Sequence, residues 1–294
     1  MCYNDIYLKV LRKYTKSELI QIGRLLNKQY NIYDPEETRW RQIQYALFNS
    51  SEQEILELKK YYLSNKFVND FLLDNYACER VIKYHFIRSL LNLSDNIVAF
   101  EMSVGGSRVD ISRINGNSYA YEIKTEFDSF DRLSTQMSDY SKAFEKVYVV
   151  VPVFKVEAVK QHIPDNCGII AYRPKKQTGM TFSYVKRAYR NNCSADFCIK
   201  NLSSADMSTL IKMLGLEAGT TKKEKEAVLL TYAEKRSIWP AYKKLLKNKY
   251  HSNWLFIKKY FDQILPIDIQ NFFVTSLSPD LLYQIKVTVK SFGV

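Results

Sequence analysis

No stretch of about 18 uninterrupted apolar residues occurs, so a membrane-spanning helix is not expected. The first residues, Met1 to Lys13, mix Asp5, Lys9, Arg12 and Lys13 among apolar neighbours. They lack the apolar run and small-residue cleavage site of a secretory leader, and a cytoplasmic location is the expectation. Cysteine is sparse: Cys2, Cys78, Cys167, Cys193 and Cys198 are odd in number and scattered. A chain large enough to need no disulfides should keep such thiols reduced. Cys193 and Cys198 lie close together, but no second pair or nearby histidine completes a tetrahedral zinc set. The three histidines, His85, His162 and His251, stand apart from any useful partner, which argues against histidine-based hydrolysis. There is no glycine-rich loop to cradle nucleotide phosphates, no internal repeat and no low-complexity segment.

What is present is a folding chain with a basic surface. Hydrophobic residues make up 46% of the 294 residues and charged residues 25%, the balance of a globular protein. The 43 basic residues outnumber the 31 acidic ones, giving a formal charge of +12. This excess favours polyanionic partners, because each Lys or Arg near a phosphate releases condensed counterions. The 22 tyrosines are mostly core and boundary residues in this reading, although aromatic faces also stack on unpaired bases.

Hydrophobic periodicity divides the chain in three. From Tyr7 to Leu63 apolar residues recur at helical spacing, as in Leu19, Ile22 and Leu26, with breaks near Asn31–Pro35 and Asn49–Ser51. A helix is expected over Asp74–Leu93. The pattern then changes to β-branched and aromatic segments at Ile97–Val104, Arg108–Ile114, Ser118–Lys124 and Val147–Val151. Helices are expected at Arg132–Phe144 and Phe154–His162 and a strand at Gly168–Tyr172, with a further strand over Met180–Tyr189 and a weak connector at Ser194–Lys200. Beyond residue 201 the chain reads as helices at Ala205–Leu214, Lys222–Arg236, Pro240–Tyr250 and Trp254–Ile264, and Ser278-Pro279-Asp280 resembles a capped helix start. The expected organisation is a helical region over 1–70, an α/β domain over 71–195 and a second helical region over 196–294.

Chemistry concentrates in one hairpin. Asn115-Gly116-Asn117 is a strong turn signal between Arg108-Val109-Asp110 and Glu122-Ile123-Lys124. A three-residue turn sets Asp110 opposite Glu122; a two-residue turn shifts the pairing by one position, and either register leaves the carboxylates within reach of one ion. Strand alternation puts Glu122 and Lys124 on one face, with Ile123 on the other. Two adjacent carboxylates repel unless a cation or a shared proton intervenes, and a hard divalent ion such as Mg²⁺ or Mn²⁺ resolves the repulsion through oxygen ligands. Metal-assisted phosphodiester hydrolysis is the chemistry such a set supports, with Lys124 orienting water or stabilising developing negative charge.

Val109-Asp110, a hairpin and then Glu122-Ile123-Lys124 resemble the D…ExK signature of the PD-(D/E)XK, or restriction-endonuclease-like, nuclease superfamily. Val109 stands where that signature has proline. Glu79, on the preceding helix, resembles the acidic residue with which many members support the metal. Gln136 and Tyr140 form a Gln-x-x-x-Tyr spacing similar to a motif of the exonuclease and RecB-like branches, and four residues of separation set them on one helical face. The resemblance covers 74–172. It implies an α/β restriction-endonuclease-like three-layer core with a central mixed β-sheet, and a Mg²⁺-dependent or Mn²⁺-dependent nuclease, with DNA favoured as substrate. It further implies Asp110, Glu122 and Glu79 at the metal, Lys124 assisting the attacking water, and Gln136 and Tyr140 positioning substrate or ligands. Such a nuclease suits DNA repair, a mobile element or defence against phage.

Each residue also has an ordinary reading. Asp110, Glu122 and Lys124 can pair across a ladder, Glu79 can pair with Lys83, and Gln136 and Tyr140 can pack their helix. Glu126, Asp128 and Asp131 read as an acidic loop. Lys243, Lys244, Lys247 and Lys249, with Arg39 and Arg41 beside Trp40, are candidate phosphate contacts or solvated surface. The alternatives to a deoxyribonuclease are a nucleic-acid-binding or interaction protein on the same fold that does not cut, and an enzyme directed at RNA or nucleotides.

Overall fold

The computed structural model describes residues 3–175, 179–217 and 219–283. Five helices open the chain: α1 (Tyr3–Leu11), α2 (Lys16–Gln29), α3 (Glu36–Ala46), α4 (Glu52–Tyr61) and α5 (Ser64–Asn75). Thr15 with Glu18 and Ser51 with Glu54 form reciprocal capping boxes that start α2 and α4. Each box satisfies amide donors that a helix N-terminus would otherwise leave open. The expected helix over Asp74–Leu93 is shorter, since α6 runs Glu79–Arg88. The chain extends at Tyr76, which caps α5, and so separates Asp74 from α6.

The sheet follows, with β1 (Ile97–Val104), β2 (Ser107–Asn115), β3 (Asn117–Ile123), β4 (Lys146–Pro152), β5 (Gly168–Lys175) and β6 (Gly179–Lys186). Strand order follows chain order in one six-stranded sheet. The β1–β2, β2–β3 and β5–β6 pairs are antiparallel, whereas β3–β4 and β4–β5 are parallel. Crossovers through α7 (Leu133–Ala143) and α8 (Val156–Lys160) make the parallel pairs possible. The architecture is therefore α/β, with a mixed sheet and helical regions at both ends.

After the sheet come α9 (Ala195–Lys200), α10 (Ser204–Met213), α11 (Lys222–Lys235), α12 (Trp239–Tyr260), α13 (Ile269–Thr275) and α14 (Pro279–Tyr283). Three sequence expectations change here. The weak connector at Ser194–Lys200 is a helix, started by the Ser194 hydroxyl accepting from Phe197 N–H. The two helices expected over Pro240–Tyr250 and Trp254–Ile264 are one continuous helix, anchored on both sides of His251–Asn253 by buried Leu246 and Trp254. Helix α13 had no counterpart in the reading of the sequence.

The chain divides into two compact units, Met1–His85 with Tyr260–Val294, and Phe86–Lys259. In the first, Tyr30 and Tyr283 donate hydrogen bonds of 3.0 and 2.8 Å to Asp268 Oδ2. Burial pushes the Asp268 carboxyl up to about 6, against the opposing pull of these hydroxyls and of Arg80 and Arg39. Trp40 is fully buried in this unit. Arg39 is buried as well, and donates to the Ser64 hydroxyl, to the carbonyls of Ile32 and Asp34 and to Glu36, so it serves the interior rather than a phosphate.

In the second unit, one face of the sheet packs on helices. Ala120, Val147, Val149 and Ile169 meet Leu133 and Met137 of α7, Ile199 of α9, Leu210 of α10 and Leu245 of α12 in one buried cluster. Burying the Val, Ile, Leu and Met side chains of this cluster contributes roughly 1.5–3 kcal/mol each, which fixes α7 over the strands that carry the hairpin acids.

Candidate active site

The β2–β3 register decides where the acids go. Ile111 pairs with Tyr121, Ser112 with Ala120 and Asn115 with Asn117, so the turn centres on Gly116 and the three-residue register holds. Gly116 has a φ of +63°, a region that side chains rarely adopt. Continuing the ladder sets Asp110 opposite Glu122. Both carboxylates are buried, at 8% and 3% exposure.

Glu122 is the centre of a hydrogen-bonded group. Its Oε1 accepts from Lys124 Nζ at 2.9 Å and from Gln136 Nε2 at 2.6 Å. Its Oε2 lies 2.8 Å from the Tyr140 hydroxyl, which is also 2.7 Å from the Arg108 carbonyl; one proton serves one acceptor at a time. Lys124 Nζ also donates to Gln136 Oε1 at 3.0 Å. Lys124 lies just past β3, where its N–H donates to the Val150 carbonyl and extends the parallel ladder. Its side chain therefore stays on the face of Glu122, as alternation requires. Burial above all, and then the charge of Glu122, push the Tyr140 hydroxyl well above the usual phenol range, so it remains a neutral donor. The helix spacing of Gln136 and Tyr140 thus has a visible use: both reach the same carboxylate from α7.

Asp110 is held differently. Its Oδ2 accepts a 2.6 Å hydrogen bond from Ile123 N–H, a backbone group one residue beyond Glu122. A carboxylate oxygen of Asp110 lies within 4.8 Å of one from Glu101 on β1. Reading the sequence missed Glu101. The available signal was the Gly105-Gly106 pair: Val104 pairs with Ser107 across this two-residue turn, and the same register runs Met102 to Val109 and Phe100 to Ile111. That arithmetic sets Glu101 opposite Asp110. Gly105 has a φ of +61°, and a Cβ there would approach Phe197 Cζ to 2.7 Å.

Glu101 itself has a φ of +53°, the left-handed region, in the middle of a strand. For a residue with a Cβ this conformation costs on the order of 1–3 kcal/mol. The consequence is visible in packing. Val109 and Ile114 are five residues apart, so a regular strand would turn them to opposite faces, yet both join the α7-side cluster. The sheet changes phase at the Glu101 and Asp110 pair, and the two acids sit at that irregularity. Glu101 Oε2 also pairs with Arg108 Nε at 2.5 Å.

Glu79 belongs to the first unit, in the first turn of α6, where Oε1 pairs with the buried Lys83 at 2.5 Å. In the loop after Lys124, Asp128 Oδ2 accepts from Thr125 N–H at 2.6 Å, and Lys155 Nζ donates to the carbonyls of Thr125 and Asp128. This binds the acidic loop to itself. Lys243 pairs with Glu145 at 2.8 Å and Lys249 with Asp206 at 2.7 Å, so two of the four candidate lysines already serve internal carboxylates. Cys78, Cys167, Cys193 and Cys198 are free thiols, as expected.

No described helix is long and apolar enough to cross a membrane. Among curated proteins, a stretch of 84 residues is 36% identical to Protein cII of Enterobacteria phage P4, covering 28% of this chain and 31% of that protein. The chain thus matches about a third of the length of that relative. Among solved structures, a Silicibacter pomeroyi protein of unknown function aligns over 39% of this chain and 71% of its own, with 14% identity and a TM-score of 0.30, too low to bear on the fold. The family described as Bacteriophage P4 protein cII matches residues 70–272, which takes in the whole sheet and every candidate site residue. The chain belongs to the family of Bacteriophage P4 protein cII.

Proposed function

We propose that the second unit is a metal-dependent nuclease built on a restriction-endonuclease-like core, acting on phosphodiester bonds and most favourably on DNA. One observation carries the reading. Glu122, Lys124, Gln136 and Tyr140, drawn from two sequence motifs, are tied together by hydrogen bonds, and Asp110, opposite Glu122, is fixed by the Ile123 N–H that lies between Glu122 and Lys124.

The donor set fits a hard divalent ion. Asp110 and Glu101 bring carboxylate oxygens within 4.8 Å of each other, and Glu122, opposite Asp110 in the ladder, would add a further carboxylate. When bound, Mg²⁺ or Mn²⁺ would supply Lewis acidity toward a phosphoryl oxygen and would lower the pKa of a water. The protein's own groups have separable tasks. Ile123 N–H fixes Asp110, leaving its orientation set by backbone rather than by a mobile side chain. Tyr140 and Gln136 hold Glu122, and Lys124 presents an ammonium beside it that can balance negative charge developing on a phosphate.

A second reading, a nucleic-acid-binding protein that does not cut, is favoured by one feature. Glu122 Oε1 already accepts two hydrogen bonds, so its lone pairs are in use without any ion. Incubation with matched single-stranded DNA, duplex DNA and RNA, with Mg²⁺ or with EDTA, separates the readings. Cleavage of DNA in Mg²⁺ that stops in EDTA is the expected result. Intact substrates under all conditions, with the protein folded and bound to them, would leave the binding reading in place.

A further inference from the structure

A second feature lies at the far end of β3. Gly116, at the β2–β3 turn, is six residues from Glu122, a span of about 20 Å along a strand. Around it is a recess of about 670 Å³ lined by Arg190, Trp239, Lys243, Lys244 and Lys247, with Glu145 as its one carboxylate. An adjoining recess of about 400 Å³ shares Glu145, Arg190 and Trp239 and adds Asn191, Asn192 and Cys193.

The walls are fixed in place. Glu145 Oε1 pairs with Arg190 at 2.5 Å, and Oε2 with Lys243 at 2.8 Å and with Ser118 N–H at 2.7 Å. Lys243 also donates to the Gly116 carbonyl at 2.7 Å. Lys244 and Lys247, by contrast, form no ion pair with a described residue. They extend from neighbouring turns of α12, and the partly buried Trp239 at its start packs edge-on against Tyr242, with ring centroids 5.8 Å apart.

We propose that this recess binds a segment of single-stranded nucleic acid, with phosphates against Lys244, Lys247 and Arg190 and a base against Trp239. Four cations against one carboxylate select a polyanion, and Lys244 and Lys247 are the two that no described carboxylate pairs. A tryptophan bordering both recesses supplies the stacking surface that unpaired bases have and duplex bases do not. The polar side chains of Asn191, Asn192 and Asn248 line the same walls and can meet base or sugar edges. Binding here does not depend on hydrolysis at the Asp110 site.

Fluorescence anisotropy with labelled single-stranded DNA, single-stranded RNA and duplex DNA, all in EDTA, tests the proposal on the full chain. Charge reversal at these two lysines, K244E with K247E, should weaken single-strand binding at least tenfold. It should also flatten the salt dependence by roughly 1.4 in slope, since each lost phosphate contact on a single strand carries about 0.7. Trp239→Ala should weaken single-strand binding by about 5-fold to 100-fold and duplex binding far less, while Trp239→Tyr restores stacking. The DNA and RNA arms state which strand is preferred, and tighter binding of either one supports the site. All arms are read as binding in EDTA, so a failure of the cleavage reading leaves this result readable. Unchanged affinity in a folded K244E and K247E variant, or a preference for duplex that survives Trp239→Ala, would overturn the proposal.

Discussion

Asp110→Ala should lower magnesium-dependent cleavage by about 10³-fold, a loss of ~4 kcal/mol in transition-state stabilisation, while leaving nucleic-acid affinity within a few-fold. The reason is positional. Asp110 is buried opposite Glu122 and fixed by Ile123 N–H, so the substitution removes a carboxylate held in place within the proposed ligand set. Lys124→Ala should have a comparable effect on turnover, since among the described residues the ammonium it removes is the one cation bonded to Glu122. Steady-state kinetics and binding, measured side by side with circular dichroism to show the fold, are sufficient. Cleavage that survives both substitutions would defeat the proposed site, and loss of binding along with cleavage would reassign these residues to the fold.

The second large effect concerns stability. Glu145→Ala should lower the unfolding free energy by about 3 kcal/mol at neutral pH, because it strands Lys243 and leaves Ser118 N–H without its acceptor. Arg190 is largely exposed and contributes little to this figure. Burial works against the charged form of Glu145, but Lys243, Ser118 N–H and Arg190 together hold its carboxyl below the usual glutamate range. A depressed folded pKa means that the stabilisation is complete above the unfolded pKa and is lost as pH falls through the folded one. Urea unfolding of the two proteins should therefore differ by this amount near neutrality and converge in acid. An equal midpoint and slope for both at neutral pH would contradict the account. The outcome also bears on the basic recess, whose Arg190 and Lys243 walls depend on Glu145.

Much of the second unit could be read from residue types alone, for identifiable reasons. The switch from helical to alternating pattern after Asn96 marks β1, and Asn115-Gly116-Asn117 fixes both the turn and the Asp110 to Glu122 register. Gln136 and Tyr140 were legible because four-residue spacing on a helix has few other ways to bring two polar side chains together. Glu101 was not, since its place depends on a second register and on an unusual backbone conformation that no residue type announces. Helix α12 was divided wrongly at His251-Ser252-Asn253 because local propensity disfavours helix there, whereas burial of Leu246 and Trp254 on either side overrides it. The lysines of α12 looked equivalent in sequence. Tertiary pairing separates Lys243 and Lys249, which meet Glu145 and Asp206, from Lys244 and Lys247, which do not.

The central claim is that the hairpin acids hold a divalent ion, and calorimetric titration of Mn²⁺ into the unaltered protein and into Asp110→Asn tests it directly. The account predicts saturable binding by the unaltered protein and none by Asp110→Asn, with the fold of both intact. Equal Mn²⁺ affinity in the two proteins, or cleavage that persists in EDTA, would contradict it.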